Sequence, residues 1–340
     1  MPRGSLRKYL IIGAGLSFAV LPFVVQSNYL LSILIIIGIY TLVVEGLGIL
    51  MGYAGQVSFG QAAFFGIGAY TVGILTTHYD WGTVPALLAA LVLPALVAAV
   101  IGKPTLKLKE HYLALATLAV GLLIHILFNE GGELTGGPSG LTGIPYLKIG
   151  GLVFNRDYKF YYLIGVLVLL VFLGVRNLDR SRVGRALRAI RDSEVAAEAN
   201  GINSAVLKLQ AFIFSAFLAG LGGGIYAYYV TFISPAPFNF NMSIQFVLMA
   251  VIGGLGTIWG PVLGVALVVA LGEVLRWLVP LIIPNAGGEY QIIFYGLILV
   301  LTMIFKPEGL SVGWRKKSLA ESSSEDGEEN SEHLIISIRR

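Results

Sequence analysis

Long apolar segments separated by short polar ones fill this 340-residue chain. A helix needs about 20 mostly apolar residues to cross the hydrocarbon core of a membrane. By that measure the pattern predicts about ten membrane-spanning helices, near residues 9–26, 29–50, 57–76, 83–102, 111–128, 160–176, 208–230, 243–258, 260–280 and 290–305. We therefore expect an all-α integral membrane protein with a short N-terminal segment, 1–8, and a membrane domain, 9–317.

Two terminal segments need separate treatment. The N-terminus, MPRGSLRKYLIIGAGLSFAVLPF (1–23), has some features of a secretory signal peptide, but it lacks a clear small-residue cleavage site. We therefore expect this segment to be retained as the first helix. Residues 318–340 are acidic and rich in serine, a composition that buries too little apolar surface to fold. We expect a disordered tail there and assign it no function.

The long polar segment 176–208 separates two hydrophobic halves and predicts two short amphipathic helices. Arg182, Arg185 and Arg188 recur every three residues and share one face of the first helix. Leu187 and Ile190 lie on another face. Such a polar hairpin beside a membrane domain is typical of a docking surface. The alternative is that its arginines only fix topology and contact anionic lipid.

The second of these helices has start and stop signals of its own. Asp192 or Ser193 is placed to cap its first turn, and Glu194 suits the positive end of the helix dipole. Gly201 is placed to end the helix in a left-handed conformation.

Charge fixes the predicted orientation. With the N-terminus in the cytoplasm, 19 of the 23 Lys and Arg residues lie on the inner side, and the opposite orientation would leave only 4 there. Inner loops of membrane proteins are enriched in Lys and Arg, so we expect both termini in the cytoplasm. Segment 176–208 is then cytoplasmic and segment 129–159 is an outer loop. The outer loop is rich in turn-forming residues and is either a site of partner or substrate entry or a structured plug.

Two of the predicted inner connections, 51–56 and 253–259, are rich in glycine and carry no charge. We expect an interrupted helix over 46–60. For 253–259, a re-entrant segment and a tight helix–helix turn stay equally open. Spans 2–5 and 7–10 enter the membrane from opposite sides, as in a weak inverted repeat. Each set is expected to open with a glycine-interrupted helix, marked by Gly46, Gly48 and Gly52 in one set and by Gly220, Gly222, Gly223 and Gly224 in the other.

Composition narrows the possible chemistry. Hydrophobic residues make up 56% of the chain and charged ones 12%, about half the charged share of a soluble domain. The absence of cysteine excludes disulfides and thiolate–metal sites. The basic residues follow membrane topology, so we expect contact with membrane lipid and no nucleic-acid partner.

Few ionisable residues fall inside the predicted spans. Glu273 and Arg276 are three residues apart and predict a structural ion pair, and His125 predicts hydrogen-bonded packing. Glu45 adjoins the glycine-rich break and is the most interesting candidate, because burying a carboxyl is expensive. Glu45 alone is a poor proton relay, so the sequence indicates no proton or sodium drive.

Motifs for enzymatic chemistry are missing from the sequence. It contains no G-x-x-x-x-G-K-[ST] phosphate loop, no H-E-x-x-H, no G-x-S-x-G and no metal-spaced cluster. We therefore expect a non-enzymatic transport subunit without metal or cofactor, driven by a separate ATPase.

Five stretches carry a resemblance to a known family. They are GYAGQVSFGQAAFFGIGAYT (52–71), TGGPSGLTGIP (135–145), RSRVGRALRAIRDSEVAAEANGIN (180–203), LKLQAFIFSAFLAGLGGGIYA (207–227) and IGGLGTIWGPVLG (252–264). In order and spacing, from about residue 30 to 313, the chain resembles the LivM-type permease subunits of branched-chain amino-acid ABC importers.

This resemblance implies a set of partners. They are a second, LivH-like permease, two ATP-binding subunits that hold ATP and Mg, and an outer solute-binding protein, all at a bacterial-type inner (plasma) membrane. It also implies that the ATPases sit on the polar loop, at Arg185, Arg188, Asp192, Glu194, Ala196, Ala197, Glu198 and Gly201. The family often has Asn at Gly48, His at Gln61 and an apolar residue at Glu45, so these departures leave the exact substrate open.

A pathway for a zwitterionic amino acid is expected at the interrupted helix. Its residues are Gly52, Gly55, Gln56, Ser58 and Gln61, with Glu45 beside them. Helix N-terminal N–H groups would hold the substrate carboxylate, and free carbonyls its ammonium. The expected function is import of branched-chain or related neutral amino acids. Alternatives are a urea or short-chain amide ABC permease, a stand-alone secondary carrier or channel, and a membrane scaffold without transport.

Overall fold

The computed structural model describes residues 27–105 and 110–282, together with Pro22, Gly296 and Leu297. Within these residues the helices are α1 (Asn28–Gly48), α2 (Gln61–Thr77), α3 (Thr83–Thr105), α4 (Glu110–Glu130), α5 (Gly132–Thr135), α6 (Asp157–Arg180), α7 (Arg182–Asp192), α8 (Glu194–Ala199), α9 (Ser204–Val230), α10 (Phe240–Gly253) and α11 (Gly260–Ile282). A π-helical turn, Ile49–Tyr53, extends α1, and 3₁₀ turns lie at Gly137–Ser139 and Ala236–Phe238. Strands β1 (Lys148–Ile149) and β2 (Leu152–Val153) form an antiparallel hairpin with Lys148 opposite Val153.

Six helices of the described part of the chain are long and apolar enough to cross a membrane. They are Asn28–Tyr53, Thr83–Pro104, Tyr112–Glu130, Asp157–Arg180, Ser204–Val230 and Gly260–Leu278, and α10 is a shorter apolar helix. The chain is thus a mostly helical, multi-pass membrane protein. The count of ten spans and the N-in/C-in orientation stay predictions. Segments 1–8, 9–26, 290–305 and 318–340 lie outside the described residues, apart from Pro22, Gly296 and Leu297.

Helix α9 is the central element of the bundle. It packs against α1, α2 and α3, and its 27 residues give it a length of about 40 Å. Phe212, in the first half of the helix, and Tyr228, near its end, are both buried. The hydroxyl of Tyr228 donates to the Thr83 carbonyl at the start of α3 (2.6 Å).

The glycines of α9 correct one prediction. Gly220, Gly222, Gly223 and Gly224 do not interrupt the helix, which is continuous from Ser204 to Val230. They let other backbones approach instead. A Cβ on Gly220 would lie 2.3 Å from the Ala90 carbonyl oxygen, and one on Gly223 would lie 1.9 Å from that of Phe65. Small residues serve this purpose where two membrane helices touch.

The second discontinuity lies after α9 rather than within it. Residues 231–239 contain a 3₁₀ turn and one residue of an isolated β-bridge but no α-helix, and Phe238 in this segment is buried. Helix α10 then begins at Phe240, and its Ser243 side chain accepts a hydrogen bond from the Ala62 amide at the start of α2 (3.1 Å). The starts of α2 and α10 therefore meet inside the bundle.

The predicted outer loop is neither helix nor strand throughout, as its turn formers indicate. It contains α5, a 3₁₀ turn and the β hairpin. An isolated antiparallel bridge joins Leu141 to Ile233, beyond the end of α9. The Thr83 hydroxyl donates to the Lys148 carbonyl (2.7 Å), so this loop packs at the end of the bundle opposite the polar hairpin α7–α8.

Candidate functional site

The interrupted helix predicted over 46–60 is present. Helix α1 widens into the π turn Ile49–Tyr53, and helix resumes only at Gln61. The Gln61 side chain reaches the Val43 carbonyl of α1. Val43 lies ten residues before Tyr53, about 15 Å along the helix, so residues 54–60 run back into the bundle and α2 starts inside it.

Hydroxyl side chains satisfy the non-helical backbone of this break. The Phe59 amide donates to Thr117 Oγ1 (3.1 Å), the Gly60 amide to Ser58 Oγ (3.3 Å) and the Ala62 amide to Ser243 Oγ (3.1 Å). Non-helical backbone at membrane depth is tolerated only where such partners replace water. These hydrogen bonds stabilise the break as part of the fold.

Gln61 ties three helices together. Its Nε2 donates to the Val43 carbonyl of α1 (3.2 Å) and to the Ser215 carbonyl of α9 (3.3 Å). Ser215 Oγ donates back to Gln61 Oε1 (3.3 Å). Both side chains are buried. The side-chain amide of Gln61, which the sequence analysis places in the translocation pathway, thus forms hydrogen bonds between helices.

Glu45 and Gln56 behave differently. Both are buried, at 3% and 4% exposure. The Oε1 atom of each has no hydrogen-bond partner in the structure. Of the six predicted pathway residues, Gly55 is half-buried and the other five are buried in this chain. Among these six residues, Glu45 and Gln56 are the ones with an unsatisfied side-chain oxygen, a feature that is uncommon in a packed interior.

The polar segment forms the two predicted helices, α7 and α8. Ser193 is the cap of α8, because its side chain accepts from the Ala196 amide (3.3 Å). Ser181 caps α7 and Asn203 caps α9 in the same way. Gly201 follows α8 with a φ of +80°, which is the predicted left-handed stop.

The predicted ATPase-contacting residues divide between two faces. Those exposed are Arg185, Asp192, Glu194, Ala196, Glu198 and Gly201. Ala197 is buried. Arg188 turns inward, where it forms an ion pair with Asp179 at the end of α6 and lies over the Tyr53 ring, 5.6 Å from its centroid. Val195, which the sequence reasoning passed over, is 79% exposed on α8.

Arg191 is a second residue that the sequence reasoning missed. Its Nη1 donates to the Gly52 carbonyl in the π turn (2.7 Å). A Cβ on Gly55 would lie 3.0 Å from Arg191 Cγ. The hairpin α7–α8 therefore contacts the break directly, through Arg188 on Tyr53 and Arg191 on Gly52.

The connection 253–259 is a tight helix–helix turn, one of the two predicted alternatives. It joins α10 to α11, and Gly254 and Gly256 have φ values of +110° and +75°. A Cβ on Gly264 would lie 1.8 Å from the Met249 carbonyl oxygen, so the two helices touch. The turn itself packs on the break, since a Cβ on Gly52 would lie 2.2 Å from the Gly256 nitrogen.

The other ionisable residues have the predicted structural contacts. Glu273 Oε1 and Arg276 Nη1 are 3.2 Å apart, and His125 Nε2 is 3.2 Å from Asn129 Nδ2. In the described part of the chain, no group of three or more His, Cys, Asp and Glu residues is placed to hold a metal ion.

Comparison with known proteins identifies the family. Residues 29–303 match the family described as branched-chain amino acid transport system / permease component. The chain is 32% identical to the high-affinity branched-chain amino acid transport system permease protein LivM of Salmonella typhimurium, over 86% of this chain and 72% of that protein. It is 31% identical to the Escherichia coli protein of the same name, over 96% and 80%.

A more distant relative carries a different name. The chain is 26% identical to a probable branched-chain amino acid transport permease protein LivH of Methanocaldococcus jannaschii, over 81% of this chain and 90% of that protein. No solved structure matches. The family match and these identities show that the chain belongs to the family of branched-chain amino acid transport permease components.

Proposed function

We propose that this permease component works in an importer that moves branched-chain or related neutral amino acids into the cytoplasm. Two separate ATP-binding subunits, which hold ATP and Mg, dock on residues 180–201 and supply the energy. A LivH-like permease is the second membrane subunit, and an outer protein delivers the solute. The assembly lies in the inner (plasma) membrane of a bacterial-type cell.

The observation that carries this proposal is the hairpin α7–α8, which is exposed on one side and bonded to the broken helix on the other. Its outer face combines Val195, at 79% exposure, with Glu194 and Glu198. This face therefore offers both an apolar side chain and carboxylates to a docking partner. Its inner face holds Arg188 and Arg191 against the break.

The break supplies the chemistry for a zwitterionic solute. The start of α2 inside the bundle places the positive end of a helix dipole at membrane depth, which favours the substrate carboxylate. The unsatisfied oxygens of Glu45 and Gln56 are acceptors for the ammonium. Side-chain selectivity is left to the outer binding protein, because one methylene is worth only about 1–3 kcal/mol in a pocket.

Changes on the exposed face of the hairpin test ATPase docking. Glu198→Arg, Val195→Asp and deletion of 190–201 are expected to abolish co-purification of the ATP-binding subunits and ATP-dependent uptake of leucine, while membrane insertion survives. Glu133→Arg reverses an exposed charge at the opposite end of the bundle and leaves co-purification unchanged. Normal uptake in the first three variants would refute the docking site.

Two uptake experiments separate the alternatives. Leucine is expected to compete with labelled leucine for uptake, whereas urea is not, and the reverse result would indicate an amide importer. Transport by the purified chain alone, under an ion gradient and without ATP, would indicate a secondary carrier. Absence of solute flux in the assembled complex would indicate a scaffold.

A further inference from the structure

The side chain of Arg191 is held on both sides. Its Nη1 donates to the Gly52 carbonyl of the break (2.7 Å). Its Nε and Nη2 donate to Asp192 Oδ1, at 3.1 and 3.0 Å. Both of these bonds go to the same carboxylate oxygen, and with the Gly52 contact they hold the guanidinium between Asp192 and the broken helix.

The Gly52 carbonyl is available because α1 ends there. The next amides turn back to earlier carbonyls: Ala54 N donates to Ile49 O (3.2 Å), and Gln56 N to Leu50 O (3.0 Å). The last carbonyls of a helix lack partners within the helix and form the negative end of its dipole. Lys, Arg and His side chains can hydrogen-bond such carbonyls, and here Arg191 of another helix does so.

A third element meets this contact. Gly256, in the turn between α10 and α11, lies beside the guanidinium, where a Cβ would be 3.3 Å from Arg191 Nη1. The same Cβ would be 3.1 Å from the Gly52 carbonyl oxygen. Connections 51–56 and 253–259, which carry no charge of their own, thus pack on each other and both lie against the cation of α7.

We propose that Arg191 is the positioning residue through which the hairpin α7–α8 moves the broken end of α1 and the α10–α11 turn as one unit. This inference rests on the proposed docking of ATP-binding subunits on the hairpin. Movement of α7 pulls the Gly52 carbonyl directly, and Gly256 follows because its backbone touches Gly52. Arg188, which pairs with Asp179 and lies over the Tyr53 ring, contacts the same end of α1.

The transport test uses the assembled complex in proteoliposomes. Arg191→Ala is expected to keep co-purification and ATP hydrolysis within about twofold of the wild type and to lower leucine transported per ATP at least tenfold. Arg191→Lys, which keeps the charge and one donor, restores part of this ratio. Arg276→Ala is the matched control, because it removes an exposed arginine near the opposite end of α1. An unchanged ratio in Arg191→Ala, or loss of the ATPases from that complex, would overturn the proposal.

A distance measurement tests the link without transport. The natural chain has no cysteine, so spin labels at Ala199→Cys and Leu255→Cys, both exposed positions, report the separation of hairpin and turn in the full chain in nanodiscs. We expect one narrow distance distribution, which Arg191→Ala broadens and Arg276→Ala does not. Equal distributions in all three would overturn the proposal, whereas missing ATPase binding in the wild type would refute only the docking proposal.

Discussion

The backbones of α2 and α9 touch at Phe65 and Gly223, where a Cβ on Gly223 would lie 1.9 Å from the Phe65 carbonyl oxygen. Gly223→Ala therefore has to push the two helices apart, and we expect it to lower the free energy of unfolding by about 1–3 kcal/mol. Gly174→Ala is the control, because nothing lies within 4 Å of its Cβ and alanine favours helix by up to about 1 kcal/mol. Thermal unfolding of the purified chain in detergent compares them, and equal midpoints would contradict the close contact.

The amide of Gln61 is expected to act in stability rather than in substrate binding. Gln61→Leu removes the bonds to the Val43 and Ser215 carbonyls, and interhelical bonds of this kind are worth about 0.6 kcal/mol each, up to about 1.7. We expect a loss of about 1–2 kcal/mol in stability and an unchanged KM for leucine uptake. Combination with Ser215→Ala should be non-additive, since the two side chains share a bond. A raised KM with unchanged stability would instead place Gln61 in the pathway.

Glycine shows most clearly how far the sequence alone predicts this fold. The runs at Gly46–Gly60 and Gly220–Gly224 look alike as sequence, yet the first contains a break and the second is continuous helix. Glycine permits both a left-handed turn, as at Gly55 (φ +68°), and a close approach of backbones, as at Gly223. Which of the two it serves depends on the neighbouring helix, and a single sequence does not contain that information.

The polar hairpin was largely predictable, because its caps and amphipathic pattern act over a few residues. Ser193, Gly201, Leu187 and Ile190 occupy the predicted roles. The inward contacts of Arg188 and Arg191 were not predictable, since their partners Tyr53 and Gly52 lie more than 130 residues away along the chain. The one available signal in the sequence was the absence of charge from two glycine-rich connections. In the structure both connections lie against Arg191, which is distant along the chain.

A comparison of alanine substitutions at Gly55 and Gly143 distinguishes the effect of backbone strain from the effect of the contact with Arg191. Gly55→Ala puts an alanine in a left-handed conformation, which lowers the stability by about 1–2 kcal/mol. It also places a Cβ 3.0 Å from Arg191 Cγ. Gly143 has a similar φ of +82°, but no atom lies within 4 Å of a Cβ placed there. Gly143→Ala therefore introduces the backbone strain without a new contact. We expect Gly55→Ala to lose at least as much stability as Gly143→Ala, with leucine uptake per ATP reduced only in Gly55→Ala. Equal uptake ratios would show that the contact with Arg191 does not matter for transport.

The packing of the bundle does not explain why a carboxyl group lies at position 45. It is 3% exposed on α1, near the π turn, and its Oε1 lacks a partner. A buried polar oxygen without a hydrogen bond costs about 1–3 kcal/mol, so Glu45→Leu is expected to raise the free energy of unfolding by about that amount. The same variant is expected to lower leucine uptake at least tenfold, because it removes a proposed acceptor for the substrate ammonium. Its ATPase subunits should still co-purify, since the hairpin is unchanged. A Glu45→Leu protein that is more stable and transports normally would show that this carboxyl takes no part in translocation.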